Sequence, residues 1–164
     1  MKMKFGIICA SDRCSLGVCE DKSGALIKEL VSPLGDTAAY TVVPDEPDQI
    51  SQAIIRMCDT DKVDVVLTTG GTGFSPRDVT PEATLAVIER QTPGISEAIR
   101  QKSLAITPMA MLSRAVSGIR KSTLVINLPG SPKAVRESLA VVLPVLPHAV
   151  ETLSGKPVSC GGNY

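Results

Sequence analysis

The sequence predicts an α/β domain built around a parallel sheet. Short apolar runs of strand character alternate along the chain with segments of helical periodicity. The 164 residues hold no linker, repeat or low-complexity stretch, so 1–164 read as a single domain. The composition, 43% hydrophobic against 21% charged, is that of a globular chain rather than a disordered one. With two Tyr, two Phe and no Trp, its core must be aliphatic.

Residues 4–10 form the first strand. A helix over about 22–31 follows from the stripe Ala25, Leu26, Leu30 and Val31, and ends near Pro33 and Gly35. The second strand covers 37–43 and stops at Pro44; the next helix, about 47–58, turns Ile50, Ile54 and Met57 inward. Residues 63–69 are apolar through their centre, as in a strand covered on both faces. Thr80 as cap, with Pro81 in the first turn and Glu82 beside it, opens a helix to about Arg90. After a break at Pro93-Gly94 a further helix spans about 95–105. Two strands follow, 115–119, read as an edge, and 123–128. Ser131-Pro132 opens a closing helix to about Leu153, kinked or split at Pro144 and Pro147, and the tail from Cys160 to Tyr164 frays.

The bulk numbers also exclude partners. Seventeen basic residues balance seventeen acidic ones and aromatics are scarce, so a nucleic-acid partner has no support. No apolar run reaches the roughly 20 residues of a membrane span, which gives no membrane partner. The start Met1-Lys2-Met3-Lys4 resembles a leader, but the run after it is short and breaks at Ser11-Asp12-Arg13; it reads as a buried strand of a cytoplasmic protein. Five cysteines without a C-x-x-C pair, and one histidine, His148, speak against zinc and for reduced structural thiols. His148 is assigned a structural role.

The chemistry concentrates where strands end. Thr69-Gly70-Gly71-Thr72-Gly73 follows the third strand directly, and ligands of open α/β sheets sit outside the carboxyl ends of the strands. Three glycines in four residues let backbone N–H groups approach an anion. The pattern is neither the dinucleotide nor the P-loop fingerprint, so alone it reads as a phosphate cradle or as a tight turn. Beyond it, Arg77 can face a phosphate and Asp78 can hold Mg²⁺, or the two can pair and anchor the loop. Ser11-Asp12 and Asp45-Glu46 end the first two strands on the same edge, so Asp12, Asp45 and Asp78 can converge; capping competes for Asp21, Ser23 and Asp45. The run Asn127 to Lys133 joins a strand to a helix N-terminus, an anion site in which Lys133 opposes the helix dipole. Ser113-Arg114 and Arg120-Lys121 add cations.

The run from Thr68 to Thr84, TTGGTGFSPRDVTPEAT, resembles the molybdenum-cofactor biosynthesis family of molybdopterin adenylyltransferases (MogA/MoaB), which includes the N-terminal domain of gephyrin. Ser11-Asp12-Arg13, Asp21-Lys22-Ser23-Gly24, Val43-Pro44-Asp45-Glu46, Leu112-Ser113-Arg114 and Ile126 to Ser131 match as well, and the likeness spans about 5–153. It implies a three-layer α/β/α sandwich around a mostly parallel sheet with one antiparallel edge strand, assembled as a homotrimer. It implies a nucleotidyltransferase that moves AMP from MgATP to the molybdopterin phosphate and releases pyrophosphate. It also implies hand-over of the product to a molybdenum-insertion protein as an expected partner. Asp45 and Asp78 correspond to essential aspartates, catalytic or organising Mg²⁺. Ser11, Asp12, Thr69, Gly70, Gly71, Thr72, Gly73, Arg77, Ser113, Arg114, Pro129, Gly130, Ser131 and Lys133 are the expected substrate contacts. The related insertion domain comes with additional domains, so a chain read as one domain is expected to perform adenylylation. A non-catalytic molybdopterin carrier or oligomeric scaffold is the competing expectation.

Overall fold

The computed structural model describes residues 2–155; the tail from Cys160 to Tyr164 lies outside them. One six-stranded sheet runs through the chain in the order β2-β1-β3-β6-β5-β4. β1 (Met3–Ala10), β2 (Gly35–Val43), β3 (Val65–Thr69) and β6 (Thr123–Leu128) pair in parallel. β5 (Ser117–Arg120) runs antiparallel to β6, and the two-residue β4 (Arg90–Gln91) pairs antiparallel with β5 at the edge. The strand expected at the margin is therefore shielded by one more short pairing.

Side chains alternate across the strands and build two cores. Phe5 and Ile7 of β1, Val65 and Leu67 of β3, and Leu124, Ile126 and Leu128 of β6 face one side. There they meet α2 (Lys22–Val31), α5 (Pro93–Leu104), α6 (Pro132–Val142) and α7 (Leu146–Leu153) through Ile27, Ile99, Leu139 and Leu146. Ile8, Ala10, Val66 and Val125 face the other side, covered by Ile50, Ile54 and Met57 of α3 (Pro47–Asp59) and Ala83 of α4 (Thr80–Leu85). The fold is thus the expected three-layer sandwich. Each fully buried aliphatic side chain stabilises it by about 1.5–3 kcal/mol.

Two local expectations are corrected, and one short helix is added. The helix opened by Thr80 ends at Leu85 rather than near Arg90, because Glu89 N donates to Ile119 O (2.8 Å) and draws the following residues into β4. Its N-cap is Val79, with no side-chain capping bond, so Thr80 is not the cap. A four-residue helix, α1 (Asp12–Ser15), follows β1, capped by the Ser11 hydroxyl, which accepts from Cys14 N at 3.2 Å. The closing helix is split as expected: α6 gives way to a 3-10 turn at Leu143–Val145 before α7. Among the described residues no helix is long and apolar enough to cross a membrane.

Candidate functional site

The chain passes from β1 outward to β2 by way of α2 on one face. It returns from β2 to β3 through α3 on the other, so the order reverses between β1 and β3. At this reversal the carboxyl ends of neighbouring strands splay apart and leave a crevice. The glycine loop lies there. Gly70 and Gly71 have φ of +93° and +66°, where a side chain is strained. A Cβ on Gly70 would also collide with the Ala10 carbonyl of β1.

Hydrogen bonds from Thr69, Gly70 and Ser23 hold this crevice together. Thr69 Oγ1 donates to Pro129 O (2.7 Å), Gly70 N to Leu128 O (3.3 Å) and Ser23 Oγ to Gly130 O (2.6 Å). The ends of β3 and β6 and the start of α2 are thereby pinned to one another. Ser131 caps α6, accepting from Ala134 N at 3.3 Å. Among the described residues, the amides of Gly71, Thr72 and Gly73 donate to no protein acceptor. Three successive backbone donors are left for a ligand.

Carboxylates close in on those donors. Asp12 and Asp45 exchange hydrogen bonds: Asp12 N donates to Asp45 Oδ2 and Asp45 N to Asp12 Oδ1, both at 2.9 Å. α3 is entered through Glu46 with no side-chain capping bond, so capping does not explain Asp45. Capping does explain Asp21, which accepts from Gly24 N at 2.8 Å and from the Tyr40 hydroxyl at 2.8 Å. A Cβ on Gly71 would stand 3.2 Å from Asp45 Oδ1, and one on Gly73 would stand 2.9 Å from Asp78 Oδ2. Asp78 Oδ2 accepts from Ser75 N at 2.9 Å. Burial raises the Asp45 pKa above the ordinary carboxylate value, and the charges of Asp12 and Asp78 push it the same way. Asp12 is lowered, first by its hydrogen bonds from Arg77 and then by the Asp45 amide.

Two predicted cations are placed differently from expectation. Arg77 grips Asp12 with Nε and Nη2 at 3.0 Å each and reaches Glu46 with Nη2 at 2.8 Å. It anchors the loop to the ends of β1 and β2 instead of standing ready for a phosphate, and it does not pair with Asp78. Lys133 is 79% exposed on α6, 3.8 Å from Glu137 one turn on, in a groove with Lys22 and Arg136. It lines neither hollow beside the loop. Arg114 buckles the loop from its far side: Nε donates to Gly73 O (2.7 Å) and Nη2 to Asp78 O (2.6 Å), while Nη1 meets Glu82.

Two hollows adjoin the loop. One, of about 370 Å³, is lined by Ser11, Asp21, Ser23, Thr69, Gly70 and Gly130. The other, of about 270 Å³ and more apolar, includes Thr72, Gly73, Arg100, Ser113, Pro129 and Ser138. Arg100 and Ser138 escaped the sequence reading, because one polar residue on an amphipathic helix carries no local signature. Asp45 and Asp78 offer hard oxygen donors from two different loops. Among the described residues no three His, Cys, Asp or Glu side chains cage a metal by themselves. That donor set fits Mg²⁺, which takes one or two carboxylates and completes its shell with waters and substrate phosphates.

Residues 6–148 match the family described as a probable molybdopterin binding domain. A molybdopterin adenylyltransferase of Helicobacter pylori (strain J99) is 47% identical over 156 residues, covering 92% of this chain and 88% of its own length. Gephyrin of Dictyostelium discoideum is 48% identical over 165 residues, although this chain spans only 23% of it. The crystal structure of the molybdopterin biosynthesis enzyme MoaB from Thermus thermophilus superposes with a TM-score of 0.88 at 46% identity, covering 96% of this chain and 99% of that one.

Proposed function

The chain belongs to the probable molybdopterin binding domain family, and from that premise we propose that it is a molybdopterin adenylyltransferase of molybdenum-cofactor biosynthesis. Its substrates are molybdopterin and ATP. One observation supports this beyond kinship: three unengaged amides, those of Gly71, Thr72 and Gly73, lie between the Asp45 and Asp78 carboxylates with a hollow on either side. Two substrates that must meet at a phosphate need such a shared rim.

In the proposed reaction a phosphate oxygen of molybdopterin attacks the α-phosphorus of ATP. The bond from that phosphorus to the β-phosphate bridging oxygen breaks, and pyrophosphate leaves as adenylyl-molybdopterin forms. The loop amides hold the phosphates in line and offset their charge, the means by which phosphoryl-type transfers are mainly accelerated. Mg²⁺, held by Asp45 and Asp78, supplies charge neutralisation when bound. Arg77 and Arg114 act on the loop and on the carboxylates rather than on substrate.

Leu104, Ile106, Met109 and Met111 are exposed in one short stretch of the chain. This apolar ridge is the surface we assign to contacts between copies in a homotrimer, since water-exposed apolar groups of this extent mark interfaces. We place the enzyme in the cytoplasm, handing its product to a molybdenum-insertion protein. Pyrophosphate release from ATP is expected only with molybdopterin and Mg²⁺ both present. Release that ignores molybdopterin would mark a nucleotide hydrolase instead. Tight molybdopterin binding with no nucleotide turnover would mark a carrier.

A further inference from the structure

Thr80 looks like a helix cap in sequence and does not serve as one. α4 is capped at Val79 without a side-chain bond, and the Thr80 hydroxyl is one of three buried hydroxyls, with those of Thr92 and Ser138, that have no partner among the described residues. Thr80 is fully buried. Its own backbone is satisfied: the amide donates to Gly71 O at 3.1 Å, and the carbonyl accepts from Thr84 Oγ1 at 2.9 Å. Only the hydroxyl is idle. Burying an idle hydroxyl costs free energy that a valine of the same shape would avoid, so its presence calls for a use outside the resting fold.

Its position indicates the use. A side-chain carbon on Gly71 would collide with Thr80 Oγ1 and stand 3.2 Å from Asp45 Oδ1. The two oxygens therefore approach the same point, one from the start of α4 and one from the end of β2, and the absent Cβ of Gly71 keeps the space between them open. Asp45 is held on one side only: Oδ2 accepts from Asp12 N at 2.9 Å, whereas Oδ1 has no donor among the described residues. A hydroxyl without an acceptor thus faces a carboxylate oxygen without a donor across a glycine.

We propose that Thr80 is a positioning residue for Asp45, its hydroxyl donating directly to Asp45 Oδ1 when the carboxylate turns towards it in the loaded site. That hydrogen bond fixes the direction of Oδ1, and it requires glycine at position 71, since a Cβ there would stand between the two oxygens. Thr80 touches neither substrate; it acts through Asp45. This role rests on the adenylyltransferase reading.

The test compares Thr80→Val and Thr80→Ser with the wild-type enzyme in thermal unfolding and in steady-state adenylylation. A hydrogen bond to a charged group is worth about 1.5–3 kcal/mol, which converts to a fall in kcat of about 10- to 100-fold for Thr80→Val. KM for ATP and for molybdopterin should stay within about threefold, and Thr80→Ser should recover kcat to within about threefold. The Thr80→Val midpoint should stay within about 2 °C of wild type or rise, because no protein hydrogen bond is lost. A midpoint lowered by more than about 4 °C would show the hydroxyl to be structural and overturn the proposal. So would an unchanged kcat in an active enzyme. A wild-type protein that does not adenylylate would overturn the functional reading along with it, whereas an active wild type with an indifferent Thr80→Val overturns this inference alone.

Discussion

Replacing Asn127 with alanine should unfold the domain at a markedly lower temperature, although Asn127 contacts no ligand in this account. Its side chain is fully buried near the end of β6. Oδ1 accepts from Val116 N (3.2 Å), and Nδ2 donates to the hydroxyls of Thr68 (3.0 Å) and Thr84 (2.9 Å). One amide therefore joins β3, the segment before β5, and α4 behind the glycine loop. Asn127→Ala strands the Val116 amide, at about 1–3 kcal/mol, and removes two further bonds worth about 1 kcal/mol each. The sum is about 3–5 kcal/mol, and at about 2–4 °C per kcal/mol for a domain of this size the midpoint should fall by about 6–20 °C. Calorimetry and urea unfolding at one protein concentration measure it, the fixed concentration guarding against effects of subunit association. A midpoint within about 2 °C of wild type would refute the reasoning, since it would mean that the stranded amide finds another acceptor at no cost.

Further outcomes follow from other contacts. Arg120 holds Asp59 through Nε (3.0 Å) and Nη2 (2.7 Å), and Lys121 adds a third bond at 2.9 Å; together they lower the Asp59 pKa to about 2. Because the folded pKa lies below the unfolded one, this stability is present above the ordinary carboxylate range and is lost as pH falls from about 4 towards 2. Asp59→Asn should flatten the unfolding midpoint over that interval, and an unchanged pH slope would count against the pair. Gly71→Ala meets both a left-handed backbone and the Thr80 hydroxyl; it should cost at least about 1–2 kcal/mol and abolish turnover, which unfolding and kinetics report together. Arg77→Ala breaks ion pairs of a half-exposed guanidinium, so the unfolding midpoint should barely move. The apparent KM should nevertheless rise, as the loop loses its tie to Asp12 and Glu46.

What the sequence disclosed is what local chemistry encodes. β1, β3 and β6 announce themselves by apolar runs bounded by polar turns, and the split of the closing helix by Pro144 and Pro147. The convergence of Asp45, Asp78 and the glycine loop followed from parallel strands ending on one edge. What stayed hidden depends on distant partners. β4 is two residues long and exists only because β5 pairs with it. Arg77 finds Asp12 across 65 positions of sequence, so nothing nearby foretold that it would be engaged. Thr80 satisfied every local rule for a cap and was displaced because the first helical bond, from Ala83 N to Val79 O (3.0 Å), starts one residue earlier.

In the proposed function the glycine loop and its two aspartates transfer an adenylyl group to molybdopterin. Mass spectrometry of molybdopterin after incubation with ATP and Mg²⁺ tests it most directly, with the wild-type protein beside a folded Asp78→Ala variant. Molybdopterin heavier by one adenylyl group is expected with the wild type, and bound but unmodified molybdopterin with the variant. Unmodified molybdopterin from both proteins, or the same adenylylated product from both, would contradict it.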